Sequence, residues 1–599
     1  MRELAGRATA LVERGKVETG RQPLAAFRCQ RPMVSPPRFK VKSAPANRTR
    51  RGKAMKPGSR LLNLLILITV LGGAGARAQP QDKPATLMAG LGRLHHAIST
   101  HNAEAQKFFD QGLTLVYAFN HEEAARSFRH AAELDPAAPM PWWGIALAVG
   151  PNYNLDVDPD REKAAYEAIQ KARALAAHGA ENERDYVEAL AARYSNDPKA
   201  NLKALAVNYA HAMAALAKRY PDDLDAATLY AESLMDLNPW QLWTFDGKPG
   251  EHTEEIVAVL RSVLARDPQH IGANHFYIHA VEESPHPEDA LVSAHRMETL
   301  VPAAGHLVHM PAHIYERTGF YAESVKANQA AAAADRAYLA SSGSAGGMYG
   351  LMYYSHNLHF LAIAASMDGN FAQAKSAADQ LVANAAPGLK EIPMLEWFLP
   401  VPTYVLVRFG RWDDIAKLSP PDASLSIATA AWHYARGVGF AARGAAEDAA
   451  AERAQLAAVI DKQPADAMYG FNPARAVLTV ALDALDARIA AARGDRKAAL
   501  DSWRKAVAAQ DALAYDEPPD WYYPVRESLG AALFRDGQFA EAEQVFRDDL
   551  NLNPRNPRSL FGLLQTLKAE GKTADSAWVN AQFVEAWKNA DTGLRMEDL

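Results

Sequence analysis

The 599-residue chain is 49% hydrophobic and carries 64 Lys and Arg against 70 Asp and Glu, enough apolar material for a large core. Its charge is lopsided: residues 1–54 hold 14 basic and 3 acidic residues, whereas the chain from Gln79 onward holds 47 basic and 67 acidic, a net of −20. A body of that sign repels nucleic-acid phosphates, which argues against DNA or RNA as a partner, and the single cysteine, Cys29, rules out a disulfide framework or a cysteine-rich metal site beyond Gln79.

In chain order, residues 1–54 are Arg-rich, contain Pro36-Pro37, and read as a disordered basic extension or a misassigned start. Residues 55–78 read as a signal peptide: Lys56 and Arg60 are its basic start, Leu61–Leu71 its apolar core, and Ala76-Arg77-Ala78 its small-residue cleavage site. The apolar run is shorter than the roughly 20 residues a bilayer span requires. The expectation is a mature chain that begins at Gln79, is periplasmic or secreted, and keeps no stable membrane span.

Beyond Gln79 an alanine-rich composition with few β-branched runs predicts helices, and the sequence repeats with a period of about 34 residues. The spacing divides the chain into N-terminal helical hairpins over 79–222, a His-rich central region over 223–390, and C-terminal hairpins over 391–599. The clearest repeat is 105–138, with Gly112, Ala124, Phe128, Ala131 and Pro136 where a hairpin needs small residues for close helix approach, an aromatic plug and a helix stop. Window 523–556 repeats it with Leu529, Gly530, Gly537, Phe539, Ala542, Phe546 and Pro554, and a further hairpin follows from Pro557 with Gly571 at its turn. Between these ends Gly319-Phe320-Tyr321, Gly369-Asn370-Phe371 and Gly410-Arg411-Trp412 mark turns. Segments 139–160, 238–250 and 339–354 break the period and predict loops on one face of the array.

These positions resemble the tetratricopeptide repeat superfamily, and the resemblance implies an all-α solenoid of stacked helical hairpins whose ligands sit on the inner surface lined by the first helix of each hairpin. The string NHFYIHAVEESPHPEDAL…AGHLVHMPAHIYERTG is similar to a group of bacterial secreted tetratricopeptide proteins with a His-rich midsection, a likeness that implies the fold and no particular activity.

All 19 histidines follow Gln79, and eight of them lie within 270–313. His275 and His279 recur 34 residues later as His309 and His313 in the same register, with His306, His356 and His359 at related positions. In the family such positions face the inner groove, which implies that up to seven imidazoles share one concave pocket. Residues four apart share a helix face, so the His275/His279 pair can chelate one ion, with Glu232 and Glu282 as carboxylate candidates. Neutral imidazole with carboxylate suits copper, zinc or iron rather than calcium or magnesium, and no H-E-x-x-H metalloprotease template is present. Pro311 argues the other way: a proline favours the first turn of a helix, which would leave His306 and His309 on the approach loop.

Around this region stand Trp240, Trp243, Tyr349, Tyr353 and Tyr354, read either as hairpin packing or as an aromatic wall, and Met310, Met348 and Met352, read as gap-filling or as soft copper ligands. His95, His96, His101 and His121 form a looser second group. Two functions remain open: a transition-metal site in the groove, catalytic if a coordination position stays free, or an interaction scaffold whose groove takes a peptide or envelope protein, with the histidines incidental.

Overall fold

Helix-starting residues and turn glycines set the hairpins. Asn102 and Asn120 accept hydrogen bonds from the first amides of helices Ala103–Tyr117 and His121–Leu134, and Asn370 does so for Phe371–Ala385, each satisfying donors that a helix start leaves open. At the predicted turns Gly319 and Gly369 take φ of 76° and 79°, left-handed backbone that costs glycine nothing.

This computed structural model describes residues 85–177, 179–342 and 347–599. The basic extension and the export signal expected over 1–78 lie outside the described residues. Within them the chain is all-α apart from one two-stranded ribbon, Met468–Tyr469 against Asn472–Pro473, and no helix is long and apolar enough to cross a membrane. Each helix packs chiefly on its neighbours in sequence, the stacking of a tetratricopeptide-type solenoid.

The joint between hairpins is built the same way at both ends. Phe128 is fully buried, and a Cβ on Gly112 or Gly144 would lie 2.6 Å or 2.5 Å from its ring. Phe546 is equally buried between Gly530 and Gly562, where a Cβ would come within 2.7 Å and 2.2 Å. Each ring thus plugs the gap between one hairpin and the next, a burial that contributes roughly 1.5–3 kcal/mol.

The apolar interior falls into two main clusters, one running from Leu91 to Tyr315 and the other from Tyr321 to Leu599. Stretches far apart in sequence also touch. The Pro554 carbonyl accepts from Tyr321, Glu123 from Tyr338, and Asp591 from the amides of Phe371 and Ala372.

Candidate metal centre

Helix Ile271–Val281 carries His275 and His279 on one face, with ring centroids 4.9 Å apart. It lies close to helix Ala103–Tyr117 because Gly272 packs flat on the Tyr117 ring, where a Cβ would be 2.6 Å away. That approach brings the His275 Nδ1–H to the Tyr117 carbonyl at 2.6 Å, one of the carbonyls a helix C-terminus leaves open. Pro311 does start a helix, Pro311–Thr318, but Gly305–His309 is already helical and Met310 joins the two with helical backbone. His309 and His313 consequently stay together across the joint, with Nε2 atoms 2.8 Å apart. His356 enters from helix Tyr354–Met367, its ring 4.8 Å from that of His309.

Two three-histidine groups result, each with ligand atoms within 4.8 Å of one another: His275, His279 and His306, and His309, His313 and His356. A third group, His279, Glu282 and His313, joins them. Glu282 Oε1 accepts from His279 Nδ1 at 2.9 Å, and its Oε2 lies 2.6 Å from His313 Nδ1, which also pairs with Glu517. His309 Nδ1 donates to Asn328 Oδ1 at 2.6 Å, an orientation fixed because Asn328 Nδ2 donates to the Ser324 carbonyl.

Four imidazoles therefore have Nδ1 committed to a carbonyl, amide or carboxylate oxygen, which in the neutral rings of His275, His279 and His309 leaves Nε2 with its lone pair outward. This is the outer-shell pattern that orients histidine toward a metal. His309 and His313 Nε2 lie 2.8 Å apart, where the charged His313 ring donates to the neutral His309 ring, and His279 Nε2 is buried with no partner. Two nitrogens bound to one ion at about 2.0–2.1 Å stand about 2.9–3.4 Å apart, close to the 2.8 Å here and the 3.2 Å between His275 and His306 Nε2.

The electrostatics agree. Burial first, then neighbouring imidazoles, pushes His275, His306, His309 and His356 well below the usual histidine range, which keeps them in the neutral, ligating form. For His313 burial acts downward too, but Glu282 and Glu517 outweigh it and raise the ring to about 10. Burial and the Glu282 charge push Glu517 up to about 8. Burial also raises Glu282, but His313 and His279 reverse this and hold it below the usual carboxylate range.

A cover of aromatic rings comes from the segments that break the repeat. Tyr153 and Trp240 lie 5.7 Å and 5.8 Å from His279, Tyr353 lies 5.1 Å from His306, and Phe471, from the 468–473 ribbon, lies tilted 5.0 Å from Trp240. Phe119 packs 4.5 Å from His275 and 5.2 Å from His306. Its φ is 55°, at the turn position that the Gly369-Asn370-Phe371 hairpin gives to glycine. A bulky residue in left-handed backbone costs about 1–3 kcal/mol. Here that conformation sets the ring against two imidazoles.

Two sequence candidates stand apart. Glu232 lies with Asp236 and Arg193, where Arg193 Nη2 pairs with Asp236 at 2.5 Å, and burial together with the Asp236 charge pushes Glu232 well up. His359 packs 5.7 Å from Phe398, and burial drives it down to about 3. Met310 belongs to the apolar core. Of the looser group, His96 pairs with Asp225 and exposed His95 with Asp110, while His121 stacks on Phe119 with neither ring nitrogen partnered.

The sequence reading missed Glu517, Asn328 and Asp335. Buried Asp335 accepts from Tyr349 at 2.8 Å and from Asn357 at 2.6 Å, and the Tyr349 hydroxyl accepts from the His306 amide at 3.2 Å. It thereby ties together the segments bearing His306 and His356. None of the three lies at a repeat position whose spacing would mark it.

No family model matches the chain, and no curated protein matches it. Among solved structures it is similar to the human IFIT1 dimer with m7Gppp-AAAA, at 12% identity over 82% of this chain and 91% of that one, with a TM-score of 0.30. It is also similar to the APC/C hetero-tetramer Cut9-Hcn1, at 10% identity over 82% of this chain and 95% of that one, with a TM-score of 0.28. Overlays this loose carry no functional meaning. The chain's own geometry is that of an all-α helical-repeat solenoid with buried histidine groups that can hold a metal.

Proposed function

We propose that this protein is an exported helical-repeat solenoid that binds a transition metal (copper, zinc or iron) in its histidine core. The observation that carries the reading is the convergence of six imidazoles in two three-histidine groups, the ligand atoms of each within 4.8 Å of one another, with His279 Nε2 buried and unpartnered. Core packing alone gives no reason to gather so many polar rings and leave such a nitrogen without a partner. Three nitrogens on an ion leave a position open for water or substrate, the arrangement of catalytic sites rather than closed structural ones. The aromatic cover of Phe119, Tyr153, Trp240 and Tyr353 limits access to that position to small molecules.

The scaffold reading makes the histidines incidental and so leaves their convergence into two three-residue groups without a cause. It has less support for that reason. The test is metal analysis by mass spectrometry on the full chain purified without chelators. Bound copper, zinc or iron, lost in the His275→Ala/His279→Ala variant, is the expected result. A protein that carries no metal and takes up none of the three when supplied would overturn the proposal and return the groove to the peptide-binding reading.

A further inference from the structure

We infer that the core holds two metal ions side by side, one on His275, His279 and His306 and the other on His309, His313 and His356. This rests on the metal-binding reading above and goes beyond it in nuclearity. The two groups share no imidazole, and each meets the distance requirement for one ion by itself. Their close nitrogen pairs are separate: His275 with His306 at 3.2 Å, and His309 with His313 at 2.8 Å. Ring contacts are tightest inside the second group, at 4.6 Å between His309 and His313 and 4.8 Å between His309 and His356. Across the groups, His279 and His313 still approach to 5.2 Å and His306 and His309 to 5.8 Å. These cross-group spacings overlap the 5.7 Å between His313 and His356 and the 6.2 Å between His279 and His306 within the groups, so the two sites adjoin.

A single carboxylate couples them. One oxygen of Glu282 accepts from Nδ1 of His279 in the first group, and the other lies 2.6 Å from Nδ1 of His313 in the second as an ion pair. Orienting one ligand therefore orients its counterpart.

Neutral nitrogen-only ligand sets point to copper ahead of manganese or magnesium.

The experiment is copper titration of the metal-free full chain, with bound metal counted by mass spectrometry and spins counted by electron paramagnetic resonance. Two equivalents per chain are expected at saturation. The His275→Ala/His279→Ala and His309→Ala/His356→Ala variants should each keep one. Saturation of the wild type at one equivalent would overturn the inference and leave the metal-binding function intact, whereas zero uptake would overturn both. The wild-type spectrum tests the idea without any variant. Two neighbouring copper(II) ions give a broadened signal, or fewer spins than copper atoms. A sharp signal with every copper counted as an isolated spin would sink the paired arrangement.

Discussion

At the two ends of the array a phenylalanine ring fills the gap between hairpins. Phe128 sits against Gly112 and Gly144, and Phe546 against Gly530 and Gly562, with the same spacing in both places. In the middle, inner positions of the same hairpin architecture carry His275, His279, His306, His309, His313 and His356. The backbone frame is shared, but the material filling it is not. Apolar plugs need only shape, so the ends are self-sufficient and regular. Imidazoles need polar partners, and the central region takes one, Asn328, from within itself and recruits Tyr117 and Glu517 from far along the chain. Regular repeats here are for standing; the irregular stretch is for chemistry.

The sharpest way to break this comparison is to cut each region and see which property fails. Phe128→Ala removes a fully buried ring held by close-packed glycines and should cost about 3–5 kcal/mol, seen as faster amide exchange over 103–149, with metal content unchanged. A change in metal content would show that the ends and the middle are not separable.

Next comes Phe119→Gly. The variant loses a buried ring, a loss of the same order as at Phe128, but it releases left-handed strain of about 1–3 kcal/mol. Its net cost should therefore be smaller, near 2 kcal/mol in urea denaturation of the metal-free protein. A cost equal to that of Phe128→Ala would mean that the turn stores no strain.

A finer cut separates the two glutamates that spacing singled out. Glu282→Gln keeps the shape but replaces an acceptor with a donor facing an imidazole N–H, and should weaken metal binding about 10–100-fold in a chelator-competition titration. Glu232→Gln, at the Arg193–Asp236 pair, should leave affinity as it was. Equal effects would place Glu232 nearer the ions than its contacts do.

This contrast also explains what could be read from the sequence. The repeat joints were legible because Gly112, Phe128, Gly530 and Phe546 interact over short, fixed intervals. The histidine register was legible for the same reason: four residues on a helix, then 34 along the array. Pro311 was read as a break and proved to be a joint, because Met310 keeps helical backbone on its N-terminal side. Glu517 reaches His313 from 204 residues away, and no local rule links the two. Inserts such as 238–250 were placed as loops, but that Trp240 turns inward onto His279 depends on its own left-handed φ of 58°.

The smallest expected effect concerns how the Glu517 loop is fastened. Asp516 accepts from the Phe471 amide at 3.1 Å and Asp520 from Asn472 Nδ2 at 2.8 Å, so the two carboxylates clamp the loop to the 468–473 ribbon. Burial raises both carboxyls above the usual carboxylate range, and the Asp516 charge lifts Asp520 further, so that the two hold one proton between them. A folded-state pKa above the unfolded value of about 4 means that the clamp's contribution is complete below pH 4 and fades as pH rises through neutrality. The loss should total on the order of 1 kcal/mol, since solvent partly screens the loop. Melting temperature followed from pH 5 to pH 8 should fall in the wild type and stay flatter in Asp520→Asn, whose amide supplies the shared hydrogen at every pH. The end-repeat variant Phe128→Ala should keep the wild-type slope, because its defect lies in a joint with no carboxylate. Identical slopes in wild type and Asp520→Asn would show that the pair is ionised throughout and that the clamp depends on Asn472 and the Phe471 amide alone.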